Sequence, residues 1–408
     1  MECLVTVQLR GEDVPCGRLY THVRRGVESA SFAYDRTYLV RGDAFPLSPD
    51  LPLYEGTIHA AGRSLFGAFE DCMPDRWGRN LLLRAERNAA RAESRTARSL
   101  FEGDLLVGVS DQTRQGALRI WLDGEPVARQ EGGVPREVDI PRLLSQADLA
   151  ERDMDADVRD LLRAGSSLGG ARPKASVADV HGRLYIAKFP QASETLLDDT
   201  CAWEHVALTL AGRCDIAVPE TRLLRVAGRS VLLLERFDRD GSARVPYLSG
   251  LSAVQGVDGE SYSYLELAQF LEEEGASPDD DLPELWRRIL FTCAIGNTDD
   301  HMRNHGFLRE RNGWRLSPAF DVNPTPGDQT KYLSSSIDFG EHAALPALAL
   351  QTAEYFRVKE TEGRRVARQM ARELADWRRV AASDGISAAS IDRMASCFAA
   401  GIERLREL

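Results

Sequence analysis

Three two-residue turns, His181-Gly182, Ala227-Gly228 and Asn312-Gly313, each stand between short runs of strand-forming residues. Such turns close β-hairpins, so the pattern predicts local pairing of 174–179 with 183–189, of 220–226 with 230–235, and of 306–308 with 314–316. Helical spacing separates them. Ala202, Val206 and Leu210 mark a helix over 198–212, and another is expected over 264–274. Leu285, Ile289, Leu290 and Cys293 mark a buried helix over 283–296, preceded by an acidic Pro/Asp loop at 277–281. Helices are also expected over 351–357, 362–381 and 388–405. Upstream, strand-like runs fall at 4–8, 17–21, 31–40 and 117–122, and Asp75 is placed to cap a helix. The predicted fold class is α+β, with a β-rich beginning and a helical end.

A chain of 408 residues exceeds one simple core, and three divisions are expected: 1–125, 126–240 and 241–408. The stretch 124–140, rich in Gly, Pro and charge, reads as a linker. Seven dispersed cysteines without a CxxC pair argue against a disulfide framework or a structural zinc site. No stretch reaches the length of a membrane span, and the alternating N-terminus reads as a strand rather than a signal peptide, so a cytoplasmic protein is expected. The net charge of −12 disfavours direct non-specific DNA binding. The arginines between Arg76 and Arg98 read as a solvated helix face.

The 51 basic residues include four lysines: Lys174, Lys188, Lys331 and Lys359. A lysine is therefore informative here, because arginine serves wherever any positive charge will do. Lys188 lies inside an apolar strand, where a phosphate contact would explain it. Ahead of it, Ser166-Ser167-Leu168-Gly169-Gly170-Ala171-Arg172-Pro173-Lys174 offers backbone N–H groups that could approach phosphate oxygens. A strand follows this glycine pair rather than a helix, so it is not a P-loop. At Leu232-Leu233-Leu234-Glu235-Arg236-Phe237-Asp238 an apolar strand ends abruptly in charge.

The segment Asn297-Thr298-Asp299-Asp300-His301-Met302-Arg303-Asn304 carries the strongest chemical signal. Asp299 can accept or orient a hydroxyl proton. Asn304 and Asp321 can offer hard oxygen ligands to Mg²⁺ beside ATP phosphates. His301 and His305 stand four apart, as in a zinc motif, but Met302 occupies the place where HExxH needs glutamate.

The combination SSLGGARPK, AKFP, ERFD, NTDDHMRNH and SPAFDVNP, with the upstream MPDRWGR, resembles the HipA-like serine/threonine kinase toxins of bacterial toxin–antitoxin systems. The resemblance spans nearly the whole chain. It implies a two-lobed protein-kinase-like fold with a small N-terminal β-rich subdomain and a helical C-terminal lobe. It implies Asp299 as catalytic base, Asn304 and Asp321 as Mg²⁺ ligands, and Lys188 on ATP phosphates. Gly169, Gly170, Ala171, Arg172, Pro173 and Lys174 would form the phosphate-side loop. Glu235, Arg236 and Phe237 would form the adenine hinge, with His301 and Phe320 beside the nucleotide. Autophosphorylation is implied at Ser167, with Ser166 its neighbour. The implied partners are a protein substrate such as an aminoacyl-tRNA synthetase, and a HipB-like antitoxin that makes most of the DNA contact. Arg76 stands where the family often has Gly, and Phe320 where it often has Tyr. A kinase of small molecules or lipid headgroups, and a nucleotide-binding regulator without catalysis, are the alternatives, since an Asp-x-His-x-x-Asn loop also resembles lipid kinases.

Overall fold

Alternation of apolar and polar residues builds the first sheet. In the computed structural model, which describes all residues except 130–131, 153–157, 166–171 and 196, β1 (Glu2–Leu9) buries Cys3, Val5 and Val7. It pairs antiparallel with β2 (Glu12–Arg24) and with β5 (Leu118–Leu122). β3 (Val27–Tyr34), β4 (Thr57–His59) and β6 (Glu125–Pro126) extend the sheet to the order β4-β3-β2-β1-β5-β6. The expected strand 31–40 stops at Tyr34. Asp35 accepts the N–H of Thr37 and caps a short helix, Arg36–Leu39, so the polar side chain diverts the backbone from the ladder. The helix Arg76–Ala92 is capped by Asp75 as expected. Arg76, Arg87 and Arg91 on it are exposed, as expected, whereas Arg95 and Arg98 lie beyond its end and pair with the buried Glu86.

The chain divides into two units, Met1–Ala192 with Leu233–Leu248, and Ser193–Leu232 with Ser249–Leu408. The first contains the sheet above and the hairpin of β7 (Lys174–Ala178) and β8 (Leu184–Lys188). The second is mainly helical. Its central helix, Pro278–Ile295, is almost wholly buried from Asp281 onward. The expected loop at 277–281 is in fact this helix's first turn. Pro278 presets the helical dihedral, and Asp279, Asp280 and Asp281 face the positive end of the helix dipole. Gly401, in the helix Ala388–Arg406, lets that helix touch the carbonyl of Ala294 directly. The single helix expected over 362–381 is two, Glu360–Leu374 and Trp377–Ser383. Over 351–357 the backbone forms a 3₁₀ turn, Ala353–Phe356. All seven cysteines are buried thiols. Among the described residues no helix is long and apolar enough to cross a membrane.

Gly296 ends the central helix in the left-handed conformation, φ +62°, and its N–H returns to the carbonyl of Thr292. A Cβ there would lie 2.6 Å from Lys331 Cδ and Nζ. Gly296→Ala is therefore expected to cost about 1–3 kcal/mol, seen as a lower urea midpoint with unchanged slope. An unchanged midpoint would mean that Lys331 moves freely and the turn carries no strain.

Candidate active site

The buried helix 278–295 delivers the acidic segment at its C-terminal end. Asn297 remains buried, and its N–H shares the Thr292 carbonyl. The chain then alternates. Asp299 is exposed and Asp300 is buried. A 3₁₀ turn, Met302–Asn304, follows, and Asn304 reaches back to donate from Nδ2 to the Asp299 carbonyl at 2.8 Å. This bond occupies the amide nitrogen of Asn304.

The segment is held on several sides within its unit. Ser334 donates from both N–H and Oγ to the Thr298 carbonyl, each at 3.0 Å. Ser335 Oγ donates to the Asp300 carbonyl at 2.8 Å. The Thr298 and Thr325 hydroxyls are 3.3 Å apart, which ties the segment to the stretch after Asp321. Lys331 donates to the Thr325 carbonyl and to Cys397 Sγ at 3.2 Å.

Below the loop, Asp300 gathers a polar cluster. Tyr264 donates its hydroxyl to Asp300 Oδ2 at 2.6 Å, and Thr292 Oγ1 lies 3.3 Å from the same oxygen. His305 Nε2 lies 3.2 Å from Oδ1. Burial raises the Asp300 carboxyl, but His305 and Tyr264 outweigh it and hold the group below the usual carboxylate range. Burial, with the Asp300 charge, pushes the Tyr264 hydroxyl well above its ordinary value. The two histidines that suggested a zinc motif thus separate: His305 is buried against Asp300, while His301 is only partly covered.

Asp321 adopts φ +55°, a region that few non-glycine residues enter and that recurs at functional sites. Its N–H donates to Glu204 Oε1 at 3.2 Å. Glu204 was not singled out from the sequence. It is a buried acid on the apolar helix Thr200–Arg213, and a lone carboxylate in such a run is a readable signal. Phe320 is half-buried.

In the first unit, Lys188 ends β8 and is buried, so it does not snorkel to water. Lys174 stands directly opposite in the ladder, so both ammonium groups leave the same face of the hairpin. Lys174 is a strand residue, not a loop residue, and its Nζ is 3.4 Å from Asp75. Both of those side chains are buried, so Asp75 both caps its helix and neutralises a lysine. Arg172 is half-buried and Pro173 buried. Ser166, Ser167, Gly169, Gly170 and Ala171 lie outside the described residues.

Glu235 is half-buried at the end of its strand. Arg236 turns inward. It donates from Nε and Nη2 to Asp238, at 2.9 and 2.6 Å, and from Nη1 to the Thr113 carbonyl at 2.7 Å. Arg239 and the Gly116 N–H add bonds to Asp238 Oδ2 at 2.9 and 2.8 Å. The charge of the ERFD motif therefore builds the unit's interior. Phe237 packs near Tyr247, ring centroids 6.3 Å apart.

Comparison with known proteins adds the lineage. Residues 166–378 match the HipA-like C-terminal domain. The chain belongs to the HipA-like family. Residues 10–104 of this HipA-like chain match the HipA N-terminal domain. The fold is that of HipA: a Shewanella oneidensis HipA, solved with HipB and its operator DNA, superposes with a TM-score of 0.70 over 99% of each chain at 14% identity. A Haemophilus influenzae protein named "Putative kinase" is 26% identical over 41% of this chain and 56% of its own length. The match thus spans little more than half of that relative. A Sinorhizobium fredii protein, "Putative kinase Y4mE", is 24% identical over 75% of this chain and 74% of its own.

Proposed function

We propose that this HipA-like protein is an ATP-dependent protein serine/threonine kinase with Asp299 as its catalytic base. The observation that carries the reading is the exposed Asp299 carboxylate on a loop whose amide partner, Asn304, is fixed to its backbone at 2.8 Å. Asp299 accepts the proton of the attacking hydroxyl. Asn304, through its amide oxygen, and Asp321, through its carboxylate, hold Mg²⁺. Hard oxygen donors such as these would suit that ion. Bound there, the metal offsets charge developing on the transferred phosphoryl group. Lys188, a buried cation on a two-lysine face, contacts ATP phosphates; Lys174 is neutralised by Asp75 and so contributes less.

The hinge role rests on the backbone of 235–237 and on Phe237, because the Arg236 side chain is committed to Asp238. Gly169 and Gly170 are assigned to phosphate binding, and phosphorylation of Ser167 silences the enzyme by adding negative charge. A translation component such as an aminoacyl-tRNA synthetase is the substrate class, and a HipB-like antitoxin is the restraining partner, supported by the family and by the composition of the Shewanella complex. A cytoplasmic location fits that role. Offering labelled ATP to lysate protein and to a small-molecule extract tests the reading. Label is expected in protein, on serine or threonine, and only with Asp299 intact. Label confined to the small-molecule fraction would favour a metabolite or headgroup kinase instead.

A further inference from the structure

Asp300, with His305 just after the acidic segment and Tyr264 beneath them, has no role in the reading above. We infer that Asp300, Tyr264 and His305 form a buried clamp that positions Asp299 and Asn304 for transfer. The inference rests on the kinase reading.

Asp300 is 5% exposed and His305 3%, yet both are polar and one is a carboxylate. A buried carboxylate is tolerated only with compensating groups around it, and Asp300 has hydroxyl donors on two helices, Tyr264 and Thr292, with the His305 ring at ion-pair distance on its other oxygen. Tyr264 opens the helix Tyr264–Glu274, Thr292 lies near the end of the helix 278–295, and His305 follows the 3₁₀ turn. The carboxylate therefore fixes one peptide unit against two helices. That peptide joins Asp299 to Asp300, so fixing Asp300 fixes the exposed neighbour.

His305 closes the far end. Its carbonyl accepts the Gly250 N–H at 2.7 Å, and its ring meets Tyr264 edge-on, centroids 5.5 Å apart. The segment from 299 to 304 is thus pinned at both ends, by Asp300 and His305, which face each other at 3.2 Å. Asp299 and Asn304 are the outward residues between and beside these pins. Among the described residues the Asp300 side chain is hydrogen-bonded to Tyr264 and Thr292 rather than to Asp299 or Asn304, so the clamp acts through the backbone, and its members are positioning residues. A displacement of about 1 Å of a reacting group can cost about a hundredfold in rate, so the clamp's effect is kinetic.

The test compares Asp300→Asn and Tyr264→Phe with the wild type and with Asp299→Ala. Each is assayed for Mg²⁺-dependent ATP turnover per folded protein and for affinity toward a fluorescent ATP analogue. For Asp300→Asn the expected result is a kcat lower by about tenfold to a hundredfold with nucleotide affinity within about twofold. Tyr264→Phe keeps the ring and loses one donor, so a smaller fall of the same kind is expected. In Asp300→Glu, which restores the charge, partial recovery of kcat over the Asn variant is expected. Loss of folded protein with unchanged kcat in the folded fraction would overturn the clamp and leave a merely structural cluster. So would equal losses in the Asn and Glu variants. Turnover in the wild type that survives Asp299→Ala would instead strike the kinase reading, and absence of turnover in the wild type would remove both.

Discussion

Replacing Asp299 by alanine is expected to cut phosphoryl transfer by about a hundredfold to ten-thousandfold while leaving the melting temperature and ATP affinity close to wild type. The carboxylate is exposed and has no interior partner among the described residues, so removing it opens no cavity and strands no buried donor there. What is lost is the group that takes the proton from the attacking hydroxyl, a contribution typically of that size. The Asn304 bond goes to the Asp299 carbonyl and survives the substitution. A variant that loses transfer and ATP affinity together would place Asp299 in nucleotide binding rather than in proton transfer.

The largest stability effect is expected in the first unit. Asp238 sits between Arg236 and Arg239, and all three side chains are buried. Burial pushes the carboxyl up, but the two guanidinium groups outweigh it and hold the acid well below the usual carboxylate range. Burial and the neighbouring Arg236 pull Arg239 down to about 9. Asp238→Ala leaves two buried cations uncompensated and should cost about 3–5 kcal/mol, read from chemical denaturation. The pH dependence follows from the depressed acid. Its contribution is fully present above the unfolded value of about 3.9 and is lost as pH falls through the folded value. Wild-type stability should therefore lose this contribution only below about pH 4, and the Asp238→Ala protein should show a shallower acid limb. A substitution cost below about 1 kcal/mol would show that water reaches the two arginines.

Much of this protein is legible in its sequence because the informative signals are local. The cap at Asp75, the Ala227-Gly228 turn and the apolar spacing of the 283–296 stretch depend on neighbours within a few residues, and each is found as read; the first hairpin instead closes through 180–182 and the third at Arg311-Asn312, with Gly313 already in its strand. The helix start at Pro278 is missed because an acidic run with proline looks like a loop, although the same residues suit a helix N-terminus. The pairing of Asp75 with Lys174 joins residues nearly a hundred apart, and nothing local announces it. The inward turn of Arg236 depends on carbonyls at Thr113 and Arg114, which are equally remote in sequence. Within the acidic segment, the residue types suggested the chemistry. Which carboxylate faces outward depends on Tyr264 and Thr292 from separate helices, and only the folded structure supplies it.

The central claim is that Asp299 directs the γ-phosphate of ATP onto protein hydroxyls. Phosphoproteomics after brief induction, wild type against Asp299→Ala at matched protein levels, tests it most directly. The account predicts serine or threonine sites that rise with the wild type and are absent with the variant, a site in 166–171 of the chain itself among them. Indistinguishable phosphoproteomes from two equally folded, equally abundant proteins would contradict it.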